Sequence, residues 1–139
     1  MERSLVLIKP DAMERDLAGT IITRLESQGL KLVALKMLHL DKALAKRLYA
    51  IHAGKPFFDD LVNYISSAPI VAAVFEGKGA VEVIRKAMGA TDPAKAEAGT
   101  IRGDFGLDIE RNTIHGSDSV ETAEEEIKLF FSEDEIFSY

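Results

Sequence analysis

Asn112-Thr113-Ile114-His115-Gly116-Ser117-Asp118-Ser119 is the stretch on which the reading of this chain turns. The β-branched pair Thr113 and Ile114 leads into His115 as the end of a strand. Gly116 permits a sharp backbone turn. A Ser/Asp cluster then opens a helix, with Asp118 and Glu121 spaced as a capping box. Val120, Ala123, Ile127 and Phe130 fall on one apolar stripe of that helix. The imidazole therefore sits at a strand-to-helix junction, where free backbone N–H groups and the positive end of the helix dipole favour anions. Neutral imidazole is a nucleophile, and its unperturbed pKa of about 6.5 leaves it mostly neutral at pH 7. A nucleophile beside an anion site points to phosphoryl transfer through the histidine. A lone histidine near a helix start is more often a surface or hydrogen-bonded structural residue, so the reading depends on what the rest of the chain supplies.

Upstream, Ser4 to Ile8 is a continuous apolar run stopped by Lys9-Pro10-Asp11, the pattern of a strand buried on both faces. Asp16 is placed to cap a helix whose core face is Ala18, Ile21/Ile22 and Leu25, with Gly29 as its stop. Leu30 to Leu40 reads as a second strand, and Asp41 caps the next helix, which turns Leu44, Leu48 and Ile51 inward. Gly54-Lys55-Pro56 breaks it, and another begins near Phe58 with Leu61, Val62 and Ile65 buried. Phe57 falls about 100° from Phe58, at the rim of that face. Pro69 to Phe75 is a third buried strand, followed by a helix on Val81, Ile84 and Met88 with Arg85 at its edge.

Gly89 to Arg111 shows no periodicity, and a segment of that length in a compact domain is usually functional or disordered. Its small residues and the Gly99–Asp104 run favour an ordered functional loop. The element order predicts an α+β, ferredoxin-like fold: an antiparallel four-stranded sheet covered by helices, with a helical hairpin inserted between strands 2 and 3. No repeat, linker or low-complexity segment divides residues 1–139, so a single domain is expected.

Composition narrows the classes of function. Hydrophobic content of 47% with 29% charged residues is that of a globular protein. No apolar run is long enough to span a membrane and no basic-then-apolar leader is present, so no membrane partner and a cytoplasmic location are expected. The absence of cysteine excludes a disulfide framework and a thiolate metal site. A net charge of −6 argues against specific nucleic-acid binding, which needs a basic face. An anionic substrate must then meet a local basic pocket inside an acidic shell. Lys9 at a strand end, Arg85 on a helix rim and Arg102 in the long loop are the candidates. Each alone reads as an ordinary surface charge. Phosphoryl transfer needs such cations around the equatorial oxygens, each worth roughly 10²–10³ in rate.

Four blocks in register, Ile8-Lys9-Pro10-Asp11, Lys55-Pro56-Phe57-Phe58, Gly99-Thr100-Ile101-Arg102-Gly103-Asp104 and Asn112 to Ser119, resemble the nucleoside diphosphate kinases. The resemblance runs from about Glu2 to Phe131, and the last block is highly specific. It implies that His115 takes the γ-phosphoryl group of a nucleoside triphosphate, typically ATP, on Nδ1 and passes it to a nucleoside diphosphate, in a ping-pong cycle. Ser117 and Glu126 match a hydrogen-bonded pair that orients the imidazole. The helical wheel admits Glu124 as well as Glu126 beside the buried stripe, and the family match chooses Glu126. Arg85, Thr91 and Arg102 match phosphate-holding positions. Lys9 and Asn112 match positions at the sugar hydroxyl, Lys9 also serving the transferred group. Tyr49 matches a residue beside the histidine and phosphate. Phe57 matches the aromatic that stacks on the base, with Leu61 and Ile109 as apolar neighbours; stacking without readout of base edges admits ATP, GTP and other nucleotides alike. Magnesium (Mg2+) is expected on the nucleotide phosphates, with Asp118 as a water-mediated partner.

His39 and His52 lack metal-ligand spacing and receive no role. Asp92 and Ala12 stand where many members have Asn and Gly. The family assembles as hexamers or tetramers, and the Gly99–Asp104 loop resembles that of hexameric members, so a homo-hexamer is expected over a homo-tetramer. Two readings compete. A non-catalytic nucleotide-binding regulatory module on the same fold needs no nucleophile, and a phosphohistidine carrier needs neither a base-stacking Phe57 nor Asn112.

Overall fold

The apolar run at Ser4–Ile8 forms the middle of the molecule. In the computed structural model, which describes residues 1–139, β1 (Glu2–Ile8) pairs antiparallel with β3 (Ile70–Gly77) on one side and β4 (Ile114–Gly116) on the other. β2 (Lys31–Leu38) pairs antiparallel with the far side of β3, giving the order β2-β3-β1-β4. Successive β1 side chains point to opposite faces. Leu5 and Leu7 enter one core with Val33, Ala72 and Val74 under α3 (Lys42–Leu48), α4 (Phe58–Ile65) and α7 (Val120–Phe130). Val6 and Ile8 enter a second core with Ala73 and Phe75 under α2 (Ala18–Glu26) and α5 (Ala80–Met88). Both faces are covered, so the run is continuous where a half-solvated strand would alternate. The α3–α4 pair lies between β2 and β3 in the chain, completing the expected ferredoxin-like α+β architecture.

Departures from expectation fall where local chemistry has no period. Pro10–Glu14 forms a short helix, α1, directly after β1. Asp16 does not cap α2. It sits at a φ of 59°, a conformation short polar side chains tolerate, and Leu17 occupies the cap position without a side-chain bond. Asp41 does cap α3, its Oδ1 accepting from the Leu44 N–H at 2.7 Å. That helix ends at Leu48, and a 3₁₀ turn at Ala50–His52 swings Ile51 out to 83% exposure, not inward. The capping box at Asp118 does not form. Ser119 is the extended cap residue of α7, its Oγ accepting from the Thr122 N–H at 3.1 Å, and Val120 in the first turn is exposed.

The aperiodic segment is ordered by a 3₁₀ turn at Pro93–Lys95 and by α6 (Ile101–Phe105). Thr100 caps α6 through its Oγ1, and a Cβ on Gly103 would lie 2.0 Å from the Glu97 carbonyl oxygen, which restricts that position to glycine. Gly116 makes no turn. It lies within β4, and a Cβ there would meet Met88 Sδ at 2.5 Å, so a side chain at this position would force the Met88 side chain of α5 to move.

Candidate active site

β4, α7 and the short connection between them bring three polar side chains together. The middle residue of β4 is His115, whose Nε2 lies 2.9 Å from Glu126 Oε1. Ser117 Oγ donates to the same oxygen at 2.8 Å. Glu126 faces inward beside Ala123, Ile127 and Phe130, while Glu124 and Glu125 face solvent, which settles the choice the helical wheel left open. An ionised carboxylate only accepts hydrogen bonds, so the bond assigns the imidazole proton to Nε2 and leaves a lone pair on Nδ1. No protein group hydrogen-bonds Nδ1. Tyr49 meets the imidazole edge-on, with centroids 6.3 Å apart and rings at 89°. Burial raises the Tyr49 hydroxyl pKa, and the nearby Glu126 charge raises it further, so the ring presents a neutral phenol.

Two cations are buried behind the histidine. Lys9 Nζ donates to Asn112 Oδ1 at 2.8 Å and to the Glu110 carbonyl at 2.7 Å. Asn112 is fixed in turn by Nδ2 donating to the Thr91 carbonyl at 2.9 Å. Burial pushes the Lys9 ammonium pKa down to about 8 despite the opposing pull of Asp11. Arg102 is 8% exposed and donates to the carbonyls of Ile114 (2.8 Å), Gly89 (3.2 Å) and Asn112 (3.4 Å). Burial pushes its pKa down to about 10. Arg85 stands exposed at the rim, within 3.4 Å of the Asp118 carbonyl.

These groups open onto one cleft of about 1390 Å³. Its lining contains Lys9, Tyr49, Phe57, Leu61, Arg85, Thr91, Arg102, Ile109, Asn112, His115, Asp118 and Glu126. Of the residues singled out in sequence, Ser117 alone does not line it; it is buried behind the imidazole. Phe57 and Ile109 stand exposed at the mouth, and Leu61 is half-buried beside them. His52 lies with its ring centroid 5.3 Å from that of Phe57, whereas His39 is bonded to the Ser66 carbonyl.

Sequence reasoning missed the device that sets the approach to β4. Thr113 does not continue a strand. Its φ is +73°, and the Ile114 N–H donates to the Asn112 carbonyl at 2.9 Å, closing a γ-turn around it. Asp11 Oδ2 accepts from the Thr113 N–H at 3.0 Å, and Oδ1 accepts from the Tyr64 hydroxyl at 2.8 Å. No periodic signal announces a γ-turn, and a β-branched residue there mimics a strand.

A ring nitrogen free of protein partners, buried cations and an exposed aromatic at one cleft suit a phosphotransferase whose ligand has an anionic end and a flat end. Comparison with known proteins agrees. The family model described as nucleoside diphosphate kinase matches residues 2–136. A nucleoside diphosphate kinase of Dehalococcoides mccartyi is 62% identical over 139 residues, covering 100% of this chain and 98% of that protein. The structure of a halophilic nucleoside diphosphate kinase from Halobacterium salinarum in complex with CDP superposes with a TM-score of 0.97 at 49% identity, covering 99% of this chain and 92% of that one. The Aquifex aeolicus enzyme superposes with a TM-score of 0.95 at 42% identity, covering 98% and 99% of the two chains. This chain belongs to the nucleoside diphosphate kinase family. Its activity is transfer of a phosphoryl group from a nucleoside triphosphate to a nucleoside diphosphate, and a non-catalytic module is not favoured.

Proposed function

We propose that His115 carries the phosphoryl group. Its Nδ1 lone pair forms a bond to the γ-phosphorus of a nucleoside triphosphate as the bond to the bridging oxygen breaks, and the diphosphate leaves with that electron pair. Phosphorylated at Nδ1 and protonated at Nε2, the imidazole becomes cationic, and the Glu126 carboxylate at 2.9 Å meets that charge. The β-phosphate oxygen of a second diphosphate then attacks phosphorus, the N–P bond breaks, and the free histidine returns with its Nε2 proton never having moved. The observation that carries this reading is the Nε2–Glu126–Ser117 arrangement, which reserves Nδ1 for chemistry.

Around this step Arg85, Thr91 and Arg102 hold phosphates, while Lys9 and Asn112 meet the sugar hydroxyl, Lys9 also reaching the transferred group. Tyr49 supports the ring and phosphate. Phe57 stacks on the base, flanked by Leu61 and Ile109, and any π-face suffices, so ATP, GTP and other nucleoside di- and triphosphates are accepted. No three acidic or imidazole side chains form a metal cage. Asp118, one of the carboxylates lining the cleft, fits the small protein share that Mg2+ takes when carried on phosphates, with Asp118 contacting it through water. Bound there, Mg2+ supplies neutralisation of phosphate charge. We further take the chain as one domain over residues 1–139, working in the cytoplasm as a homo-hexamer in preference to a homo-tetramer.

The test is intact-protein mass after brief mixing with magnesium ATP, then after adding a second nucleoside diphosphate. The expected result is one added phosphoryl group, acid-labile, absent in His115→Ala and discharged by the acceptor. Turnover persisting in His115→Ala would sink the mechanism.

A further inference from the structure

The γ-turn two residues before His115 is a conformation that a β-branched residue does not adopt unaided; Thr113 at a φ of +73° is a genuine outlier. Such strain persists only where the surroundings over-determine it. Three side chains or peptide groups do so here. The Lys9 N–H donates to the Thr113 carbonyl at 2.9 Å. Arg102 spans the carbonyls on either side, at Asn112 and Ile114. Asp11 takes the Thr113 N–H itself. Lys9 and Arg102 belong to the cleft, but Asp11 does not line it. Asp11 is 4% exposed and forms no salt bridge, so its carboxylate is buried beyond what core packing asks for. Its second oxygen is occupied by the Tyr64 hydroxyl, whose own oxygen accepts from the Asp11 N–H at 3.0 Å. This reciprocal pair leaves the carboxylate one orientation, with Oδ2 aimed at Thr113.

We propose that Asp11, oriented by Tyr64, is a positioning residue for phosphoryl transfer: it clamps Thr113 in the γ-turn and so fixes Asn112 and His115 relative to one another. The proposal rests on the reading of His115 as the nucleophile. Relaxing Thr113 to negative φ rotates the peptide planes on both sides. Asn112 Oδ1 then leaves Lys9, the Ile114 carbonyl leaves Arg102, and the start of β4 shifts with respect to the phosphate site.

The test compares Asp11→Ala, Tyr64→Phe and Thr113→Gly, alone and combined, by rapid-quench measurement of His115 phosphorylation from magnesium ATP. Displacement of a reacting group by about 1 Å lowers rate about 10²-fold, the loss expected for Asp11→Ala. Tyr64→Phe, which keeps the ring and loses both hydrogen bonds to Asp11, is expected to slow the step about fivefold. Glycine adopts positive φ freely, so adding Thr113→Gly to either variant restores the greater part of the loss. A purely structural or electrostatic role for Asp11 would not respond to glycine at another position, and failure of that rescue overturns the proposal. If Asp11→Ala does not fold, Tyr64→Phe with and without Thr113→Gly gives the same comparison, and an unslowed Tyr64→Phe also overturns it. Hydrogen exchange of the Thr113 amide, measured without nucleotide, separates this proposal from the role of His115. Faster Thr113 exchange in Asp11→Ala and Tyr64→Phe supports the clamp, and exchange unchanged from wild type refutes it whether or not His115 is the phosphate carrier.

Discussion

Replacing Glu126 by glutamine tests how much of the chemistry depends on its charge. Two donors converge on Oε1, the His115 Nε2–H at 2.9 Å and the Ser117 hydroxyl at 2.8 Å. A glutamine that keeps its carbonyl oxygen there preserves both bonds and removes the charge. Hydrogen bonds to charged groups are worth about 1.5–3 kcal/mol and neutral ones about 0.5–1.5 kcal/mol. The Ser117 bond is the same before and during transfer, so only the His115 bond, which strengthens as the imidazole becomes cationic, counts toward the barrier. The differential is about 1.4 kcal/mol, or roughly tenfold in the rate of phosphoenzyme formation. Glu126 is 8% exposed, so water does not substitute for the lost charge. Glu126→Ala removes the acceptor altogether and frees the tautomer, which raises the loss to about 10²-fold. It also leaves the Ser117 hydroxyl, 1% exposed, without its acceptor, at about 1–3 kcal/mol of stability. The assay is rapid quench with labelled ATP at a temperature where both variants are folded by circular dichroism. A Glu126→Gln rate within twofold of wild type refutes the reasoning, since the charge would then not be felt at Nδ1.

Arg102→Ala is expected to lower kcat/KM by roughly 10²–10³, as for loss of one well-aimed donor; steady-state kinetics showing less than threefold would contradict its place at the phosphates. Lys9 predicts a pH dependence. With its pKa at about 8 in the fold against an ordinary 10.5, the free enzyme loses this cation above pH 8, and kcat/KM falls there. A kcat/KM profile flat to pH 10 is inconsistent with that role. Between the two values the unfolded chain binds more protons than the folded one, so the Lys9 contribution to stability rises with pH across that window, and urea titrations at its two ends, in wild type against Lys9→Met, read it. Gly103→Ala would drive a Cβ to within 2.0 Å of a backbone oxygen. Overpacking against backbone, which cannot rotate away, costs about 3 kcal/mol, and a melting temperature equal to wild type would show that α6 has room to shift.

The strands and long helices were legible because burial marks the sequence, as an unbroken apolar run where a strand is covered on both faces (Ser4–Ile8, Ile70–Phe75) and as a helical period in the Val81/Ile84/Met88 stripe. Asp41 was legible as a cap because its chemistry is local to four residues. Asp16, Asp118 and Ile51 misled for the same reason in reverse. Each satisfies a local rule, and each was overridden by a turn or cap one or two residues away. The cleft residues were reached through motif resemblance, since nothing in Lys9, Arg85 or Arg102 taken singly marks a shared site separated by a hundred residues of chain. Gly116 satisfies the rule for a turn glycine, but it lies in β4 packed against Met88 of α5, and no sequence window contains both. Asp11 and Tyr64 stayed invisible as a pair because their partnership exists only across 53 residues of separation.

The way the buried cations of the cleft are held shows what kind of site this is. Arg3, Arg24, Lys36 and Arg111 each have a carboxylate partner, and none of these four lines the cleft. The cations that do line it, Lys9, Arg47, Arg85, Lys86 and Arg102, have none within salt-bridge distance. Lys9 and Arg102 are held instead by uncharged oxygens, which fix their direction without cancelling their charge. Their lowered pKa values follow from this arrangement, because burial raises the cost of the charged forms by more than the nearby carboxylates, Asp11 for Lys9 and Asp118 for Arg102, offset. A phosphate held between them, as proposed, would offset that cost at both groups at once. In a chain of net charge −6, anion affinity is thereby concentrated at one place, where the cations are already oriented and need no reorganisation as charge moves onto the transferred group. Pairing them with carboxylates would make the empty protein more stable and the site weaker.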